Sequence, residues 1–138
     1  MNKRNFAAQV AEKHKEAALE RRTYGCQETS RNVAKELIEY GCARTRMMVR
    51  RYFCIDDSYT LPAFCDKGLL LSKMFPGIGW RNHIVVVYMG RILDPLVGRP
   101  LKEPAYLDAM FKNKPSSIRW ARESLKETLE SPPSLHFF

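Results

Sequence analysis

The chain has 138 residues, a net charge of +8 and 45% hydrophobic residues, an ordinary mixture for one globular domain. It contains no apolar run of about 18 residues, and its charged start lacks the apolar stretch of a signal peptide. We therefore expect one domain over residues 1–138 without a membrane span, cytoplasmic or exported without a conventional signal peptide.

Two helices are predicted first along the chain. Residues 5–22 carry a thin apolar stripe among charged side chains, so we assign residues 1–22 to an N-terminal surface helix. A second helix is predicted over residues 26–40, and Gly41 is a typical residue to end it. Its apolar residues recur at helical spacing: Val33, Ala34, Leu37 and Ile38.

The middle of the chain has the pattern of a small sheet. Residues 45–55 are rich in β-forming side chains, which predicts a strand. The unbroken apolar run within residues 83–89 is typical of a strand buried on both faces, and residues 92–94 return after a tight turn. Helices followed by antiparallel strands predict an α+β fold, with helices packed on a small antiparallel sheet.

Two further helices are predicted towards the end of the chain. A short one is expected within residues 101–111. The last is expected over residues 116–130, and it is predicted from four apolar residues at helical spacing: Ile118, Ala121, Leu125 and Leu129. Residues 131–138, with two adjacent prolines, are expected to form a loose tail.

The cysteines and histidines argue against a metal site. The four cysteines form no Cys-x-x-Cys pair, and the three histidines are far apart in sequence. Without a secretion signal, reduced thiols are expected rather than disulfides. We expect no metal and no other cofactor.

One cysteine stands where a thiol can be a nucleophile. Cys26 follows a glycine and opens the second predicted helix, where backbone N–H groups and the helix dipole favour a thiolate. The simpler interpretation is a small buried cysteine, which is common. Its position still makes Cys26 a better candidate nucleophile than the other cysteines.

A histidine and an aspartate on neighbouring strands complete the pattern. His83 begins the clearest strand and can face a cleft as a general base. With a two-residue hairpin loop at 89–90, Val85 pairs with Asp94, and His83 and Asp94 become diagonal neighbours on one face. A three-residue loop would put them on opposite faces, and Asp94 would then be only a turn residue.

Three short segments resemble one known superfamily. Residues 25–27 open a helix with Gly-Cys-Gln, residues 82–87 start a strand with Asn-His, and residues 92–95 end in Asp-Pro before Gly98. These segments resemble the papain-like cysteine hydrolases, most of all their small bacterial toxin and effector branches, which include proteases and glutamine deamidases. The resemblance covers residues 24–111, which we treat as the catalytic core.

The resemblance implies a catalytic triad. Cys26 would be the nucleophile, His83 the base and Asp94 the acid that orients the base. Many members place a Gln before the Cys as an oxyanion donor, and position 20 here is Glu, so Gln27 or the backbone of Cys26 is the candidate instead. We expect Trp80 and Asn82 to line the substrate cleft. The expected function is a cysteine-dependent amide hydrolase acting on protein substrates, with the basic charge favouring an acidic substrate.

The alternative is a binding module without catalysis. Arginines alternate with aromatic and apolar residues around the first strand, and Trp80 and Trp120 each neighbour an arginine. Arginines can bind phosphate groups and aromatic rings can stack on bases, so nucleic acid is the alternative partner. An inactive papain-like fold that only binds a protein is the second form of this alternative.

Overall fold

The computed structural model describes residues 1–20, 26–64 and 80–130. The chain begins with helix α1, Lys3–Glu20, and helix α2, Cys26–Tyr40. Both predicted N-terminal helices are thereby confirmed, and α2 has the predicted bounds. Gly41 follows α2 with a φ of 104°, a left-handed conformation that glycine adopts without a steric penalty.

Four antiparallel strands form one sheet in the order β3-β2-β1-β4. Strand β1 is Met47–Cys54, β2 is Asn82–Tyr88, β3 is Arg91–Leu93 and β4 is Ile118–Glu123. Strand β2 is buried along nearly its whole length, as its unbroken apolar run predicts. The fold is α+β, with helices on an antiparallel sheet.

A two-residue turn joins β2 to β3. Tyr88 pairs with Arg91, so only Met89 and Gly90 lie in the loop. Both have positive φ, 51° and 78°, which is the conformation of the type I′ turns that match the twist of a hairpin. The even loop needed to put Asp94 on the same face as His83 is therefore present.

The sheet separates two clusters of buried apolar residues. Helix α2 packs on β2 and α1 packs on β3, which covers one face. Helix α3, Glu103–Met110, contacts β3 and contributes to the cluster on the other face. The first cluster includes Val10, Val33, Leu37, Val86 and Leu93. The second includes Tyr52, Val85, Ile92, Tyr106 and Phe111.

The predicted helix over residues 116–130 is wrong in its first half. Residues Ile118–Glu123 form strand β4, which pairs with β1 over its full length, and only Leu125–Glu130 form a helix, α4. The apolar spacing fits a helix, but pairing with the open edge of β1 satisfies backbone groups that a helix would have satisfied internally. Ser124 Oγ accepts a hydrogen bond from the N–H of Glu127 at 3.1 Å and caps α4.

Of the remaining predictions, one helix is observed, and others fall on residues outside the described ranges. The short helix expected within residues 101–111 is α3. The tail 131–138 and Cys65 lie outside the described residues. No helix among the described residues is both long and apolar enough to cross a bilayer.

Candidate active site

His83 and Asp94 meet in the interior of the molecule. His83 Nε2 lies 2.7 Å from Asp94 Oδ2, and neither side chain is exposed to solvent. His83 is in β2, and Asp94 directly follows β3, so the hairpin turn determines that they lie on one face. The structure thus brings together His83 and Asp94, the two residues that the two-residue loop was predicted to put on one face of the sheet.

Two further donors hold the carboxylate of Asp94. The Tyr106 hydroxyl donates to Oδ2 at 2.6 Å, and the backbone N–H of Leu96 donates to Oδ1 at 2.9 Å. Burial by itself raises the pKa of Asp94, but the charge of His83 and the hydrogen bonds from His83, Tyr106 and Leu96 outweigh it and hold this pKa below its usual value. Asp94 is therefore a buried carboxylate whose two oxygens both accept hydrogen bonds.

Aromatic rings fix the plane of the imidazole. The ring of Trp80 stacks on His83 with centroids 4.6 Å apart and planes 4° from parallel. Phe111 meets the same imidazole edge-on at 5.9 Å. Trp80 is 4% exposed and forms a wall of the histidine's environment, and its role as a lining of the substrate cleft stays a prediction. A histidine held by a carboxylate and two rings has little freedom to rotate.

Cys26 lies beside the start of β2. It is the first residue of α2, and the backbone of Ile84, which directly follows His83, hydrogen-bonds its sulfur. One turn along α2, the hydroxyl of Ser30 donates to the Ile84 carbonyl at 2.9 Å. The first turn of α2 is thereby tied to the residue next to His83, which puts the thiol near the His83–Asp94 pair.

Cys26 is a buried thiol in this structure. Its side chain has no exposed surface, and burial raises its pKa strongly. Hydrogen bonds from the backbone of Ile84, Cys26 and Gln27 lower this pKa by less, and the negative charge of Asp94 raises it. The resting form is therefore the neutral thiol, in contrast to the thiolate expected from its place at a helix start.

The other predicted site residues have different surroundings. Gln27 is partly buried and contributes its backbone to the hydrogen bonds around the Cys26 sulfur. Asn82 accepts a hydrogen bond from Arg51 Nη1 at 2.9 Å, and Arg51 also pairs with Glu123 at 2.7 Å. Asn82 thus belongs to a polar group that links three strands, on the face opposite to His83.

Sequence reasoning missed two residues of the site. Tyr106 reaches Asp94 from α3, and no spacing relation connects a tyrosine on that helix with an aspartate after a strand. Ser30 carried a usable signal, because it lies four residues after Cys26 and hence on the same side of α2. In the part of the chain that the structure describes, no three His, Cys, Asp or Glu side chains cluster closely enough to hold a metal ion.

Two arginines of strand β1 form ion pairs with glutamates of the same chain. Arg50 pairs with Glu103 at 3.0 Å, and its guanidinium lies 4.1 Å from the ring centroid of Trp120. The hydroxyl of Tyr52 donates to the same carboxylate of Glu103 at 2.7 Å. Arg50 and Arg51, two of the arginines that suggested a phosphate-binding surface, are therefore each paired with a glutamate of the same chain.

The comparisons with known proteins identify no relative, since no family model, curated protein or solved structure matches the chain.

Proposed function

We propose that this protein is a cysteine-dependent amide hydrolase that acts on protein substrates. The observation that carries the proposal is the buried His83–Asp94 hydrogen bond, held by Tyr106, next to a cysteine at the first turn of a helix. A fully buried histidine that is hydrogen-bonded to a carboxylate is costly to place in a core and is typical of sites that move protons. Cys26 is the nucleophile, His83 the base and Asp94 the residue that orients His83.

The first half of the reaction transfers an acyl group to the enzyme. Cys26 Sγ attacks the carbonyl carbon of the substrate amide while the thiol proton passes to His83 Nδ1, since Nε2 is engaged with Asp94. The tetrahedral oxyanion collapses, the C–N bond breaks, and His83 returns the proton to the departing nitrogen. The products are an amine or ammonia and a thioester on Cys26.

The second half releases the acid. Water attacks the thioester carbonyl while His83 accepts its proton, and the C–S bond breaks as that proton returns to the sulfur of Cys26. Asp94 stabilises the charged imidazolium in both halves and stays ionised, in agreement with its lowered pKa. The backbone N–H groups at the start of α2, including those of Cys26 and Gln27, are the donors for the oxyanion.

Burial of Cys26 shapes how the reaction starts. Because burial raises the pKa of this thiol, the resting pair is a neutral thiol beside a held imidazole, and the proton moves as the carbonyl arrives. Substrate must also uncover the sulfur, which has no exposed surface in this structure. Both features restrict reaction to substrates whose binding opens the site.

The resemblance to papain-like hydrolases supports the same assignment. The order Cys, His, Asp along the chain and their places at a helix start and on neighbouring strands are similar to that superfamily. By this likeness the product is a cleaved peptide or a deamidated glutamine side chain. The net charge of +8 favours an acidic protein substrate.

The alternative of a nucleic-acid-binding or partner-binding module has less support. Arg50 and Arg51 are paired with Glu103 and Glu123 and are not presented to phosphates. Trp80 is buried against His83, so its ring cannot stack on a base. A binding module has no need of a histidine and an aspartate aligned in the core beside a thiol.

Mass spectrometry of peptides tests the proposal. The purified protein is incubated with a peptide library from a digested proteome and with casein as an acidic protein. New peptide ends show proteolysis, and conversion of Gln to Glu shows deamidation. Cys26→Ala should abolish either product, whereas Cys42→Ala, which removes another buried thiol, should not. Equal product from the wild type and from Cys26→Ala would overturn the proposal.

A further inference from the structure

A pocket lies at the end of β2 away from His83. It has a volume of about 210 Å³ and is lined by seven residues of α1, β2, β3 and the segments next to them: Arg4, Ala7, Tyr88, Met89, Arg91, Leu93 and Pro100. Tyr88 is the last residue of β2 and His83 the second, so the pocket is about 17 Å along the strand from the candidate active site. The pocket is therefore separate from that site.

The lining combines an apolar floor with positive charge. Ala7, Tyr88 and Leu93 are buried and form the floor, whereas Arg4 and Arg91 are exposed at the rim. No acidic side chain lines the pocket, and among the described residues no carboxylate pairs with either arginine. By contrast, Arg50 and Arg51 each have a glutamate partner. Arg4 and Arg91 are thus two guanidinium groups at one apolar pocket, and within residues 1–20, 26–64 and 80–130 neither has an acidic partner.

The wall of the pocket contains a residue in a strained conformation. Met89 is at the first position of the type I′ turn with a φ of 51°, where Asn, Asp or Gly is usual. Its side chain packs on the same apolar cluster that forms the pocket floor. A methionine at a position that disfavours it is consistent with a use for its side chain, and methionine provides an adaptable apolar wall.

We propose that this pocket binds a small apolar group that bears one carboxylate. The apolar part rests on Ala7, Leu93 and Met89, and the carboxylate accepts hydrogen bonds from Arg4 and Arg91, whose planar guanidinium groups match a carboxylate in geometry. The volume is below the roughly 300–1,000 Å³ of pockets for drug-sized ligands, which limits the occupant to a group of a few carbon atoms. The carboxylate is either that of a peptide C-terminus or that of a free organic acid.

Ligand titration followed by amide NMR tests this assignment. The probes are N-acetyl-leucine, its uncharged amide of the same shape, and hexanoate, each added to the full chain at low salt. N-acetyl-leucine should bind saturably with a Kd of about 1 mM and shift the resonances of Met89 and Arg91, whereas the amide should bind about tenfold more weakly. Similar binding of hexanoate points to free organic acids, and preference for N-acetyl-leucine points to a peptide C-terminus.

Variants locate the binding. Arg4→Gln and Arg91→Gln should each weaken N-acetyl-leucine binding about tenfold, whereas Arg81→Gln, which removes the same charge at the opposite end of β2, should not. Met89→Asn keeps a favourable turn residue but removes the apolar wall, so it should weaken binding about threefold. Binding of the amide equal to that of the acid, an equal loss in Arg81→Gln, or unchanged affinity in Met89→Asn would overturn the proposal. Since none of these measurements uses hydrolase activity, failure here leaves the proposed function separately testable.

Discussion

Asp94 accepts three of the hydrogen bonds that hold the candidate site together. Its two carboxylate oxygens accept hydrogen bonds from a histidine, a tyrosine and a backbone N–H, and all of them are buried. Two of these donors are side chains, so the contribution of each of those two can be measured by a single substitution.

The Tyr106→Phe variant removes only the hydroxyl that donates to Asp94. A hydrogen bond to a charged group contributes about 1.5–3 kcal/mol, and we expect a loss of that size in the free energy of unfolding, measured with urea at pH 7. The pKa of Asp94 should rise because a donor that lowers it is lost. Carboxyl NMR should therefore show Asp94 titrating at a higher pH in Tyr106→Phe than in the wild type.

The Tyr52→Phe variant is the matched control. Its hydroxyl donates to Glu103 instead of Asp94, and its ring lies next to that of Tyr106 with centroids 5.8 Å apart. It should cost stability without changing the pKa of Asp94 measured by carboxyl NMR. Equal shifts in both variants would show that the effect on Asp94 is not specific to Tyr106.

The lowered pKa of Asp94 predicts a pH dependence of stability. The folded protein binds fewer protons at Asp94 than the unfolded chain, whose pKa lies near 3.8, so this residue stabilises the fold above that value. The stabilisation is lost as the pH falls through 3.8 towards the lower folded pKa. In Asp94→Asn, the fall in unfolding free energy between about pH 6 and pH 3 should be shallower than in the wild type. An identical slope in the two proteins would contradict the ionised, buried carboxylate.

At the scale of elements, the β2–β3 turn determines the register of the site. Gly90 has a φ of 78°, and an added Cβ would meet no atom within 4 Å, so the cost of Gly90→Ala is conformational only. We expect a loss of about 1 kcal/mol in the free energy of unfolding, with the hydrogen bond from His83 to Asp94 retained. Urea unfolding measures the loss, and an unchanged stability would mean that the turn is not type I′.

At the scale of the whole molecule, the contact between α2 and β2 covers the thiol. Ser30 ties α2 to Ile84, and Cys26 has no exposed surface, so alkylation requires local opening of this contact. In the native protein, iodoacetamide should modify Cys26 far more slowly than in urea. Ser30→Ala should accelerate modification of Cys26 but not that of Cys42, because Cys42 lies beyond the other end of α2. Rapid native alkylation of Cys26 would contradict its burial.

Local sequence determined the elements whose signals are strong and short in range. Helix α2 has its apolar spacing and its terminal glycine, and β2 has an unbroken apolar run, so both were predictable. The parity of a two-residue loop was enough to put His83 and Asp94 on one face. Part of the boundary of α4 was also present in the sequence, since Ser124 precedes Glu127 by three residues, a capping pattern that the apolar spacing obscured.

Tertiary contacts decided the rest. Residues 118–123 have helical spacing but form a strand, because the edge of β1 offers them backbone partners. The ring of Trp80 stacks on His83, a contact that the sequence pattern did not indicate. Tyr106 reaches Asp94 only because α3 packs on the same face of the sheet. Likewise, the start of a helix favours a thiolate, yet burial keeps Cys26 a neutral thiol, since desolvation depends on everything packed around a group and not on its neighbours in sequence.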